Sequence, residues 1–141
     1  MASQILEQLQ AGSPQRRVRW SVEPGLAVLG DVGLMRSVME NLLGNAWKFT
    51  SRTPAAEIAV GRAPDGAICV RDNGAGFDMA HAQRLFGTFE RLHRQDEFPG
   101  TGIGLATVER AIRRQGGQVW AVGEPGCGAT FFFTMPQPPA P

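Results

Sequence analysis

Three residue types are scarce in this 141-residue chain: lysine occurs once, cysteine twice, and tyrosine not at all. Cys69 and Cys127 stand far apart, with no His or Cys companions at ligand spacing. The sequence therefore offers neither a disulfide framework nor a zinc motif, and a reduced, cytoplasmic setting is expected. Long apolar runs are lacking too. None approaches the roughly 20 residues that span a bilayer, and Met1-Ala2-Ser3-Gln4 opens a polar, amphipathic segment rather than a signal peptide. Charge of one sign is not in excess either. At a net charge of +1, no general attraction to nucleic acid or a membrane surface is implied.

What is present suits one globular domain. The chain is 43% hydrophobic, and its 18 glycines and 10 prolines fall short of a disordered composition. Residues 1–14 read as a linker stub with a short helix at 3–10, residues 15–136 as the domain, and residues 137–141 as a disordered tail. Residues 17–22 alternate as a strand with Val18, Trp20 and Val22 on one face, and residues 26–29 read as a second short strand. Asp31 is the expected N-cap of a long helix reaching Thr50. Residues 57–62 and 67–71 form a hairpin across Pro64-Asp65-Gly66. A short helix is expected at 79–86, an irregular segment at 87–104, and a helix at 105–114 closed by Gly116-Gly117. Strands at 119–122 and 129–134 end the domain. The expected fold is α/β (α+β): a two-layer sandwich with one mixed sheet covered on one face by helices.

The long helix has an unusual side. At about 100° per residue, Asn41, Asn45 and Lys48 share one face, with Ser37 and Gly44 beside them. Val38, Met39, Leu42, Leu43, Ala46 and Phe49 are the expected core side. Asn and Gly are weak helix formers, so two asparagines one turn apart are not explained by helix stability. Amide oxygens can ligate a hard cation such as Mg²⁺, and a lysine one turn on can meet a phosphate. The same face also reads as a merely solvated, amide-rich surface.

Three glycine segments accompany it. Asp72-Asn73-Gly74-Ala75-Gly76 follows an apolar strand. It reads either as a plain turn or as a carboxylate placed to accept a donor from a flat ligand. Gly100-Thr101-Gly102-Ile103-Gly104-Leu105 opens a helix, where free N–H groups favour phosphate. It is neither a Walker A loop nor a good dinucleotide fingerprint, since no strand precedes it. Gly126-Cys127-Gly128-Ala129-Thr130 alone reads as a hairpin turn.

Order and spacing join these segments. The series Asn-Leu-Leu-x-Asn-Ala-x-Lys-Phe-Thr, Asp-x-Gly-x-Gly-Phe, Leu-Phe-x-x-Phe-x-Arg, Gly-Thr-Gly-x-Gly-Leu and Gly-x-Gly-Ala-Thr-Phe resembles the motif boxes of the GHKL ATPase and kinase superfamily. Within it, the match is to the catalytic, ATP-binding domain of bacterial sensor histidine kinases, most like the phytochrome-type and hybrid kinases, over residues 17–136.

The resemblance implies a Bergerat ATP-binding fold with a mobile lid, ATP and Mg²⁺ as cofactors, and ADP as product. By similarity, Asp72 would accept a hydrogen bond from the adenine amino group and Thr130 would support the base through water. Gly74 and Gly76 would let the backbone turn beneath it. Asn45 would ligate Mg²⁺, with Asn41, Lys48 and Arg91 near the phosphates. Phe86 and Phe89 would anchor the lid. Gly100, Thr101, Gly102, Ile103, Gly104 and Leu105 would hinge it and cradle the phosphates.

The position that carries a water-activating glutamate in the gyrase and chaperone branches holds Asn41. Glu40, one step round the helix, is expected to be a structural flank residue. Transfer to an external nucleophile is then a better reading than hydrolysis. Neither His81 nor His93 has the context of a phosphoacceptor. The expected partners are therefore a dimerisation domain bearing that histidine and a downstream response regulator. A module that only binds or senses nucleotide is the other reading.

Overall fold

The computed structural model describes residues 1–26, 30–79 and 103–136. Its elements are α1 (Ala2–Gly12), β1 (Val18–Val22), α2 (Val32–Phe49), β2 (Ala56–Arg62), β3 (Ile68–Asp72), α3 (Ile103–Arg114), β4 (Gln118–Glu124) and β5 (Gly128–Thr134). The strand expected at 26–29, the helix at 79–86, the lid and the tail fall wholly or mostly outside the described residues.

The strands form one sheet in the order β1-β2-β3-β5-β4. β1 runs parallel to β2, and every other pair is antiparallel, so the sheet is mixed as expected. Alternation decides its two faces. Ile58, Val60, Ile68, Val70, Phe131 and Phe133 point to the buried side, where Leu6, Val38, Leu42, Leu43, Val108 and Ile112 of the three helices complete one core. The other face carries Arg19, Glu57, Arg71 and a stacked pair, Trp120 on Phe132, with ring centroids 5.4 Å apart.

α2 begins where the sequence predicts. The Asp31 carboxylate accepts the Leu34 amide at 2.9 Å, satisfying one of the unpaired first-turn donors. Gln115 locks α3 to this end: its amide oxygen accepts the Asp31 N–H at 2.7 Å and its amide nitrogen donates to the Ala111 carbonyl. Gly116, at φ +85°, and Gly117 close α3 as a left-handed C-cap.

Two details differ from expectation. The last large side chain α2 gives the core is Trp47, 7% exposed, while Phe49 is half-buried. Arg16, from the α1–β1 connection, stacks over the Trp47 ring and covers it. In addition, α1 is part of the core, with Ile5 and Leu6 fully packed. Among the described residues, no helix is long and apolar enough to cross a membrane.

Candidate functional site

The last turns of α2, the loop after β3 and the β4–β5 turn are joined by backbone contacts. The Phe49 carbonyl, left over at the helix end, accepts the Ala75 amide at 3.1 Å. A Cβ on Gly74 would collide with that same carbonyl. On the other side, the Gly126 amide donates to the Ala75 carbonyl at 2.7 Å. Gly76, at φ +68°, lies against the Glu124 carbonyl, and Gly128, at φ +120°, lies against the Asp72 carbonyl. Both need a left-handed backbone and a bare Cα, so glycine is required twice over.

Asp72 sits at the centre of this arrangement. It continues the inward parity of Ile68 and Val70 and is 6% exposed, the one buried ionisable side chain among the described residues. Burial pushes its pKa up from 3.8 to about 6, opposed by backbone N–H bonds from Gly74 and Ala129. The Gly74 amide lies 2.8 Å from Oδ1. A carboxylate that has lost its water but keeps unused lone pairs is a ready acceptor for an incoming N–H group. Its neighbour Asn73 has a different job. Its amide bridges the Glu57 N–H at 2.8 Å and the Ala55 carbonyl at 3.0 Å, which pins the loop to β2.

The amide face of α2 forms as expected, with Asn41, Asn45 and Lys48 all half-buried. Asn41 spends its N–H on the Ser37 carbonyl at 2.8 Å, one turn back. No described residue hydrogen-bonds the Asn45 side chain. The Lys48 ammonium lies 5.3 Å from the Phe49 ring centroid. Glu40 is away from these groups, in an exposed i,i+4 pair with Arg36 at 3.0 Å, which fits its expected structural role.

Thr130 is not brought to Asp72. It pairs with Arg71, and Asp72 pairs with Ala129. Facing residues of an antiparallel pair share a side, so Thr130 belongs to the outer face and Ala129 is the β5 residue beside Asp72. The period of two in β5 was the available signal: Ala129, Phe131 and Phe133 have one parity and Thr130 the other. Leu105 is a buried core residue, 7% exposed, so its side chain serves packing. Ile103 and Gly104 lie in the first turn of α3. Phe86, Phe89, Arg91, Gly100, Thr101 and Gly102 lie outside the described residues, as do His81 and His93. No group of three His, Cys, Asp or Glu able to hold a metal occurs among the described residues.

Residues 30–139 match the family model described as histidine kinase-, DNA gyrase B- and HSP90-like ATPase. The chain is 39% identical over 112 residues to the phytochrome-like protein Cph1 of Synechocystis sp., covering 78% of this chain and 15% of Cph1. It is 33% identical over 143 residues to the adaptive-response sensory kinase SasA of Synechococcus elongatus, covering 96% of this chain and 36% of SasA. The chain thus spans a minor part of these relatives. Among solved structures, the catalytic domain of histidine kinase ThkA superimposes with a TM-score of 0.78 at 19% identity, over 98% of this chain and 92% of that one. Full-length ShkA in complex with AMPPNP superimposes at 0.71 with 28% identity, over 94% of this chain and 28% of that one.

Proposed function

The chain belongs to the histidine kinase-, DNA gyrase B- and HSP90-like ATPase family, and on that premise we propose that it is the ATP-binding catalytic domain of a sensor histidine kinase. Its relatives Cph1 and SasA and the AMPPNP complex of ShkA support this reading. The observation that carries it is the buried Asp72, tied through the Ala75–Phe49 contact to the helix end that bears Asn45 and Lys48.

In this reading, Asp72 accepts the exocyclic amino group of adenine, while Gly74 and Gly76 keep the backbone close beneath the ring. Asn45 is the Mg²⁺ ligand. A half-buried amide with no described partner fits an ion that takes few protein ligands and shares the rest with water and phosphate oxygens. The ion, when bound, supplies charge neutralisation at the phosphates. Asn41, Lys48 and Arg91 contact the phosphates, and the start of α3 offers its N–H groups and dipole to them together with Gly100, Thr101, Gly102, Ile103 and Gly104. Phe86 and Phe89 anchor the lid.

Among the described residues of the amide face there is no carboxylate to activate water, since Glu40 is paired with Arg36. In this reading the acceptor is an imidazole of a separate dimerisation domain. As its nitrogen bonds to the γ-phosphorus, the bond to ADP breaks. A response regulator is the next acceptor, and the domain works in the cytoplasm.

The test is trans-phosphorylation with γ-labelled ATP. Incubated with a cognate phosphoacceptor domain, the chain labels that domain and by itself hydrolyses ATP slowly. Rapid hydrolysis by the chain alone would overturn the reading. Tight nucleotide binding without a labelled acceptor would favour a nucleotide-sensing module instead.

A further inference from the structure

The end of α2 is held by a residue from outside the matched family region. An α-helix leaves its last four carbonyls without intrahelical partners. In α2 all four are accounted for. The Ala46 carbonyl accepts the capping Thr50 amide at 3.2 Å and the Thr50 hydroxyl at 2.8 Å, and the Lys48 carbonyl accepts the Ser51 amide at 3.1 Å. The Phe49 carbonyl takes the Ala75 amide of the loop after Asp72. The Trp47 carbonyl takes Nη1 of Arg16 at 2.6 Å, with the Thr50 hydroxyl also 3.1 Å from it. The same guanidinium donates through Nη2 to the Thr50 hydroxyl at 3.0 Å and lies 4.6 Å from the Trp47 ring centroid. One side chain thus uses a fork, a cation at a helix C-terminus and a ring face together.

Arg16 is itself held. The Gln10 side-chain amide, near the end of α1, donates to the Arg16 carbonyl at 2.9 Å and to the Ser13 carbonyl at 3.1 Å. The contacts form one continuous path. It runs from α1 through Gln10 to Arg16, into the turn carrying Lys48, and on through the Phe49 carbonyl to Ala75 and the Asp72 loop.

We propose that Arg16 is a positioning residue of the nucleotide site, setting the last turn of α2 and, through it, the loop that presents Asp72. The proposal rests on the nucleotide-site reading above. Arg16 touches no nucleotide in it; it fixes the wall on which Lys48 and the Asp72 loop are mounted. Arg16→Lys keeps the charge and most of the stem but loses the fork, so the turn stays folded but is held less firmly. Gln10→Ala loosens Arg16 from behind.

The experiment measures AMPPNP affinity with Mg²⁺ by calorimetry, well below the melting temperature of each variant, alongside hydrogen exchange at the Ala75 amide. Arg16→Lys is expected to weaken AMPPNP binding about three- to tenfold and to speed Ala75 exchange, with Gln10→Ala shifting both the same way by less. A role in stability alone would lower Tm and leave the affinity and Ala75 exchange of the folded protein unchanged, and that result overturns the proposal. If Arg16→Ala does not fold, Arg16→Lys and Gln10→Ala still decide it. If the parent chain does not bind AMPPNP, the nucleotide reading fails, and Ala75 exchange alone decides whether Arg16 holds the loop.

Discussion

The Asp72 carboxylate accepts the Gly74 amide at 2.8 Å from a position only 6% exposed. The bond orients the group while burial works against its charge, which leaves the acid poised at about 6.

That poise has a sign. The folded state holds the Asp72 proton more tightly than the unfolded chain, whose carboxyl titrates near 3.8. The contribution to stability is full below the unfolded value and is lost as pH rises through the folded one, by up to about 3 kcal/mol. Urea melts from pH 4 to 7 should show this downward component, and Asp72→Asn should lack it. Ligand binding runs the other way. Adenine-nucleotide affinity should rise through about pH 6 as the carboxylate ionises, and Asp72→Asn should bind weakly with no such step. Calorimetric affinity unchanged in Asp72→Asn would refute the role of Asp72.

Thr130 and Asp72 lie on opposite faces of the sheet. Thr130→Val should therefore leave nucleotide affinity within about twofold of the parent, a difference of less than 1 kcal/mol. A larger loss in a fluorescent-nucleotide titration would return Thr130 to the site.

Two glycines give opposite outcomes on the addition of one methyl group. Gly74→Ala drives a Cβ into the Phe49 carbonyl and should cost about 1–3 kcal/mol in denaturant melts, with loss of nucleotide binding. Gly44, within α2, has nothing within 4 Å of an added Cβ. Gly44→Ala should stabilise the fold by about 0.5–1 kcal/mol through better helix propensity.

Asn45→Ala should spare binding of adenosine, which has no phosphate, and abolish Mg²⁺-dependent transfer, read by phosphoacceptor labelling. Glu40→Gln should change neither, because its partner Arg36 and its solvent-exposed pairing belong to the helix surface, where such a pair contributes about 0–1 kcal/mol.

Much of this fold was legible because it is written in short-range patterns. Asp31 capping α2, the amide face of Asn41, Asn45 and Lys48, and the β2–β3 hairpin each depend on residues within a few positions of one another. The parity of Ile68, Val70 and Asp72 is the same class of signal, but the motif alone left Asp72 open between an ordinary turn and a placed carboxylate, and the structure sets it inward. The exchange of Phe49 for Trp47 in the core was not legible in this way, because helical periodicity gives the arc a residue occupies but not what covers it. Trp47 is buried where Arg16 lies over it.

The sequence by itself determined the described helices and strands, the family and the candidate chemistry, since periodicity, caps and motif spacing are properties of neighbouring residues. Tertiary structure alone decided which of those residues meet. The pairing of β3 with β5 set Ala129, and not Thr130, beside Asp72. The packing of α1 and α2 brought Arg16 to the Trp47 carbonyl and the Thr50 hydroxyl, each more than 30 residues away. Such contacts depend on how separate elements dock, and the buried area and unpaired backbone groups that drive docking exist only once the chain has folded.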